Sequence, residues 1–551
     1  MHHTDLALLV AGAAFALAMA FAEADAAKPT KPPSPTRAKL FGMRGYPADA
    51  DSWDGSKPFF PFLDTFGQYI HRQWPGKTRS PADLAAHRAA EEKDLAAHPG
   101  PKDWDAWGGW AAGPKLKGTG FFRAEKVKYK WWLVDPEGWL FFSHGIDCVN
   151  TTAATPIDDR QAWFQDFPGD RPEFKAFFST AGRVLRDYYE GKQPQCFNFA
   201  EANLLRKYGP AWRETFGDLA HRRLRSWGLN TIGNWSDGRI ARLRRTPYVA
   251  TVHFASPPIE GSTGYWGKFK DPFDPEFEAS VRRAMAREGG SSAADPWCLG
   301  YFVDNELSWG DETALGLAAL QSPPGQAAKK AFLQDLRAKY GTIAKLNAAW
   351  GTSHASWDAL AADRAGPDKK RAAPDLAAFT GRIAEQYFAT VRRAVKEVAP
   401  NHLYLGCRFA WANDRAAAAA VKSCDVVSYN RYERSVAGLR LPGGADRPVI
   451  IGEFHFGALD RGLFHTGLVP CKDQAERAAA YKAYVRSALE NPLIVGCHWF
   501  QYLDQPLTGR PLDGENYQIG FLDVCDTPYP ETIAACREVG GALYGQRAPP
   551  K

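Results

Sequence analysis

Several absences narrow this sequence first. None of its nine cysteines stands in a CxxC pair, so the metal and redox chemistries built on that spacing are not indicated. There is no P-loop lysine motif and no GxGxxG after the first strand-like run, which argues against nucleotide-dependent chemistry. A GxSxG elbow is missing too, and with it the usual sign of a serine hydrolase. Charge of one sign is scarce: 68 basic against 62 acidic residues leave +6. Over 551 residues that is too mild to imply a nucleic-acid partner. No repeat of 20–50 residues is evident, so a solenoid is unsupported. Beyond residue 21 no apolar stretch is long enough to span a bilayer.

What is present points to a large globular protein. The length exceeds a typical domain, so one elaborated barrel or two domains are expected. With 45% hydrophobic and 24% charged residues, the chain can bury a core. The 19 Trp and 20 Tyr supply rings that either fill cores or lie against the apolar faces of sugars. Residues 6–21 are apolar and end in AEA and ADA. That pattern reads as a signal peptide over 1–26 and an exported protein, periplasmic or extracellular, although the n-region lacks Lys and Arg. A membrane anchor is the alternative. Residues 27–38 are rich in Pro and Lys and form a linker. Residues 39–120 form an N-terminal accessory region, and 121–540 the main domain. In an exported protein Cys525 and Cys536, or Cys196 with a partner, could be bridged.

From about residue 119 the pattern sharpens. Two aromatic-rich runs flank Asp135-Pro136-Glu137-Gly138, a turn by composition. Then strand-like runs alternate with helical stretches. The runs are 139–149, 229–235, 248–255, 298–306, 403–410, 425–432, 448–456 and 494–503. Eight βα units with apolar strands predict an α/β fold, a (β/α)8 TIM barrel. The long segment 310–380 predicts a helical excursion between the fourth and fifth strands.

Two carboxylates carry the chemistry. PVIIGEFHFGALDRGLFHTGL (448–468) begins as a buried strand, and Glu453 stands where the apolar run stops. An acid there is costly unless it is paired or used. Pairing with Arg461 is the plain structural reading. The fourth strand ends likewise, in Asp304-Asn305-Glu306. In a barrel the C-terminal strand ends share one rim, where active sites lie. Two carboxylates on one rim are the equipment for glycoside hydrolysis, one protonated and one ionised. On rim position alone Asp147, Asn150, Asn234, Trp235, Asp504 and Gln505 are further candidates. His455 and His465, ten positions apart, give only weak grounds for a metal, and no cofactor is called for.

Asn305-Glu306 ending the fourth strand, with a Glu ending the seventh, resembles the clan A glycoside hydrolases. Within the clan, YFVDNELSWG (301–310), GEFHFGALDRGLFHTGL (452–468) and WWLVDPEGWLFFSHG (131–145) are most like the β-agarases, glycoside hydrolase family 50. KYGTIAKLNAAWGTSHASW (339–357) is similar to a segment found there and in the family 42 β-galactosidases. The resemblance implies a retaining hydrolase of β-linked galactose chains, with Glu453 as nucleophile and Glu306 as acid/base. It implies that Asn305 contacts the sugar 2-hydroxyl, that Tyr429 hydrogen-bonds the nucleophile, and that Trp499 forms an aromatic floor. His455, Asn234 and Asp147 complete the expected substrate contacts. The partner is then a poly- or oligosaccharide, with no nucleic acid and no membrane after signal cleavage. A β-galactosidase, another clan A glycosidase or transglycosidase, and a carbohydrate-binding barrel without catalysis remain the alternatives.

Overall fold

The eight apolar runs become eight parallel strands. They are β1 (Ser143–Ile146), β2 (Thr231–Ile232), β3 (Tyr248–Val252), β4 (Cys298–Val303), β5 (Leu403–Tyr404), β6 (Val427–Asn430), β7 (Val449–Phe454) and β8 (Ile494–Trp499). Their order in the sheet is β5-β4-β3-β2-β1-β8-β7-β6. The last strand therefore pairs with the first, Gly496 opposite Ser143 and Trp499 opposite Ile146. Beyond β5 and β6 the ring closes through Phe409 and Tyr429, with Phe409 N–H on Ser428 O at 3.0 Å and Asn430 N–H on Phe409 O at 2.8 Å. The fold is a (β/α)8 barrel.

This computed structural model describes residues 39–50 and 58–548. The signal stretch 1–26 and the linker 27–38 lie outside the described residues. The chain divides into two compact units. One comprises Gly42–Gly45 and Phe60–Lys551 and holds the barrel. The described part of the other contains a 3-10 turn, Ala48–Ala50. Among the described residues no helix is long and apolar enough to cross a membrane.

The run 139–149 does not form one strand. Leu140–Phe141 pairs antiparallel with Lys130–Val134, which pairs with Arg123–Val127. Only Ser143–Ile146 enters the barrel. The division follows from the Asp135 turn, where one carboxylate oxygen accepts the N–H groups of Glu137, Gly138 and Trp139 at 2.9, 2.9 and 3.0 Å. That turn folds the chain back before β1 starts. Leu133 and Phe141 of this small sheet, with Phe122 just before it, join Val249, Leu299, Phe302, Leu405, Val426, Ile450 and Val495 in one buried cluster. Most of the barrel members of the cluster stand early in their strands, so the cluster fills the N-terminal end of the barrel. Each fully buried side chain of this kind contributes about 1.5–3 kcal/mol.

Between β4 and β5 the helices Ala314–Gln321, Ala327–Tyr340, Ile343–Trp350, Trp357–Ala362 and Lys369–Val398 form the excursion that the length of 310–380 predicts. Upstream of β1 in the same compact unit, helix Pro81–Ala97 starts at a capping box, Ser80 with Asp83. Its Glu91 makes a two-pronged pair with the buried Arg223 at 2.7 and 2.8 Å. Arg223 also grips Asp526 at 2.7 and 2.8 Å, so one guanidinium ties this helix to the last part of the chain. All nine cysteines are free thiols. Neither Cys525 with Cys536 nor Cys196 with a partner is bridged: Cys536 Sγ lies 3.2 Å from the Tyr481 hydroxyl, and Cys525 Sγ accepts from Asn203 Nδ2 at 3.6 Å.

Candidate active site

Above the apolar cluster the barrel interior turns polar. Ser143 Oγ lies 2.8 Å from both Thr231 Oγ1 and His498 Nε2. Next comes Arg408, just past β5, whose side chain is fully buried. Its Nη2 donates to Asp147 at 2.8 Å and to Glu453 at 2.6 Å, and its Nε donates to Asn305 Oδ1 at 2.8 Å. A buried cation between two buried carboxylates satisfies charges that would otherwise be prohibitive inside a barrel. Two glycines leave room for it. A Cβ on Gly233 would stand 2.0 Å from Asp147 Oδ1, and one on Gly452 would stand 3.0 Å from Arg408 Nη1.

The two glutamates meet different neighbours. Glu453 Oε1 accepts from Arg408 and, at 3.4 Å, from Trp235 Nε1, while Oε2 accepts from the Tyr432 hydroxyl. Glu306 meets only neutral donors: Asn430 Nδ2 on Oε1 at 2.8 Å and Trp266 Nε1 on Oε2 at 2.9 Å. Burial pushes the Glu306 carboxyl up to about 7, and the charge of Glu453 adds to the push. Asn305 and Asn430 link the two sites, since Asn430 Nδ2 also reaches Asn305 Oδ1 at 3.3 Å. Around the rim, Trp235 stacks on His253 with centroids 4.9 Å apart. Burial pushes Asp304 up, but Lys270 and His253 overcome this and hold it below the usual carboxylate range. Tyr387 of the excursion donates to Asp304 at 2.8 Å. Cys148, Trp235, Asp304, Glu306 and Arg408 all have positive φ, from +50° to +63°. Backbone strain of this kind gathers at functional sites.

The structure brings Glu306, Glu453 and Asn305 together and relocates the other expected contacts. Asp147 is fully buried beneath the rim, bound to Arg408 and to the N–H of Asn234 at 2.8 Å. Burial pushes its carboxyl up to about 7, against the pull of Arg408. Asn234 is fully buried too, its Oδ1 accepting from Thr251. Both therefore support the site from below rather than lining it. His455 is buried, its Nε2 accepting the Leu468 N–H at 2.8 Å, and its ring lies 4.6 Å from that of Tyr432. Burial pushes it down to about 3, so it is neutral. The bond to Glu453 expected of Tyr429 is made by Tyr432. Successive strand residues point to opposite faces, and here Asn430 reaches Glu306 while the Tyr429 ring packs on Phe409 at 5.5 Å. Trp499 is fully buried on the helix side, donating to Ile519 O at 2.8 Å and packing on Phe454 and Tyr481. The next residue, Phe500, is partly exposed, with its ring 6.2 Å from His455. Arg461 pairs with Asp460 and Glu531 at 3.0 and 2.6 Å and not with Glu453.

Four residues of the site escaped the sequence reading: Arg408, Asn430, Tyr432 and Trp266. Arg408 had a usable signal, a charge ending an apolar run, the same signal that marked Glu453. Trp266, in a loop after β3, had none. Among the described residues no group of three or more His, Cys, Asp or Glu is placed to hold a metal ion.

No protein-family model matches the chain. β-Agarase B of Vibrio sp. (strain JT0107) is 37% identical over 538 residues, covering 90% of this chain and 55% of that protein. A solved exo-β-agarase is 34% identical with a TM-score of 0.83, over 89% of this chain and 74% of that one. The solved structure of PfGH50B is 31% identical with a TM-score of 0.83, over 89% and 75%. The chain spans about half the length of the curated relatives it matches.

Proposed function

Because the chain belongs to the β-agarases, glycoside hydrolase family 50, we propose that it hydrolyses β-linked galactose chains of the agar type with retention of configuration. One observation carries this reading: two carboxylates at the ends of β4 and β7 are held in opposite electrostatic settings. Glu453 sits against the Arg408 guanidinium, as an anionic nucleophile requires. Glu306 is gripped by neutral donors and pushed up to about 7, so it keeps a proton near neutral pH, as a general acid requires.

In the first step Glu453 attacks the anomeric carbon. The glycosidic bond breaks, and Glu306 gives its proton to the departing oxygen. In the second step Glu306, now a carboxylate, takes a proton from water. The hydroxide equivalent attacks the same carbon and frees Glu453. Asn305 commits its Oδ1 to Arg408 and Asn430, which fixes the amide orientation and leaves its Nδ2 to donate to a sugar hydroxyl. The apolar stretch 6–21, with its small-residue ends, supports export. N-terminal sequencing of exported protein, expected to begin after residue 26, checks that part.

The test of mechanism is neoagaro-oligosaccharide turnover followed by proton NMR. The first-formed sugar should be the β anomer, and Glu453→Ala should lower kcat by at least about 10,000-fold. An α anomer at early times excludes retention. Near-normal turnover by Glu453→Ala excludes the nucleophile.

A further inference from the structure

Exposed large apolar side chains are few among the described residues, and two of them continue outward from Trp266, the donor on Glu306. Tyr265 and Trp411 are 37% and 40% exposed, with ring centroids 5.7 Å apart. Tyr265 lies in the segment after β3 and Trp411 in the segment after β5, so they flank β4, which delivers Glu306. Tyr265 is joined edge-on to Trp266 at 4.7 Å, and Trp266 is the donor on Glu306 Oε2. An aromatic surface thus runs from the acid/base outwards to solvent.

The Tyr265–Trp266 part of that surface is braced, and Trp411 leans on it through the Tyr265 ring. Arg186 donates to Tyr265 O at 3.0 Å, and Arg183 to Trp266 O at 3.1 Å. Arg44 donates to the Tyr265 hydroxyl. The Arg186 guanidinium also lies 3.9 Å from the Tyr265 ring centroid, covering that ring. Trp411 therefore offers the wider open face. An exposed indole costs hydration free energy, and rings fixed before a ligand arrives lose little entropy on binding it.

We propose that Trp411, with Tyr265 at its side, binds the saccharide on the leaving-group side of the cleaved bond, stacking on the apolar C–H face of a neutral sugar ring. This rests on Glu306 being the acid/base, because the general acid faces the departing oxygen and so the sugar that departs. The enzyme would then read chain beyond the scissile bond, favouring extended substrates.

The experiment compares two substrates. Neoagarohexaose fills the leaving-group side, whereas in β-neoagarobiosyl fluoride the leaving group is a single fluoride that reaches no ring. Trp411→Ala should lower kcat/KM on the hexaose about tenfold, mainly through KM, with the pH profile unmoved. Its effect on fluoride release should be under about twofold, far less than the stacking loss. Trp411→Phe should recover most of the loss. Tyr129→Ala, an exposed aromatic far from the rim in sequence and fold, serves as the unaffected control. If Trp411→Ala is normal on the hexaose, or impaired equally on both substrates, the proposal is overturned while the hydrolase reading stands. If the wild-type chain cleaves neither substrate, that reading falls and takes this proposal with it.

Discussion

The two ends of the barrel solve opposite problems with the same strands. At the N-terminal end Phe122, Leu133 and Phe141 join the strand side chains in a dry cluster that needs no polar partner. At the C-terminal end Asp147, Arg408, Glu453 and Glu306 are nearly as well buried, yet each is charged or titrating. The first end gains from every apolar area removed from water. The second bears desolvation costs that only mutual pairing offsets. Apolar packing therefore dominates one end and paired charge the other, and substitutions at the two ends should fail differently.

The largest expected effect is at the polar end. Arg408→Met strands Asp147 and Glu453 as adjacent buried carboxylates. It should cost about 3–5 kcal/mol of stability and at least about 100-fold in kcat. The Asp147 carboxyl, which burial already pushes up to about 7, then loses the cation that held it down, so the destabilisation should be milder at pH 5 and grow as pH rises to 8. Urea unfolding at the two pH values reads this; a loss that does not depend on pH breaks the comparison. At the dry end Phe141→Ala should cost about 3–5 kcal/mol through the cavity it leaves, with kcat and its pH profile preserved in the folded fraction. A shifted pH profile there would show that the ends are coupled. The mildest effect is in the wild-type chain itself. The folded pKa of Glu306 is raised from 4.5 to about 7, so its protonated form is lost as pH rises through 7. kcat/KM should then fall about tenfold per pH unit above that point. The same group's contribution to stability is fully present below about pH 4.5 and lost as pH passes 7. In Glu306→Gln the alkaline limb should vanish from the residual rate on β-neoagarobiosyl fluoride, whose leaving group needs no proton.

How much was legible follows from how local each signal is. The strands were readable because an apolar run bounded by helices is a contiguous pattern. Glu453 and Glu306 were readable because a charge that ends such a run is conspicuous. Tyr432 was not. Strand β6 ends at Asn430, and beyond a strand the period-2 rule no longer says which way a side chain points. The resemblance placed the phenol on Glu453 at Tyr429, three positions before the Tyr432 that makes the bond. Trp499 failed on alternation within β8: His498 points into the barrel, with its Nε2 2.8 Å from Ser143 Oγ, so the next residue faces the helices. Arg461 looked the natural partner for Glu453 because it is near in sequence. The actual partner, Arg408, is 45 positions away and is brought close by ring closure.

The sequence by itself determined eight apolar strands, their alternation with helices, and a carboxylate closing the fourth and the seventh. These are consequences of local composition and period, which no distant residue can change. Only the tertiary structure decided which cation faces which carboxylate, which tyrosine reaches Glu453, and that Trp266 and Trp411 stand on the side of Glu306. Those outcomes depend on the barrel closing, because closure brings segments more than a hundred residues apart within hydrogen-bonding distance and decides which buried charges are paired.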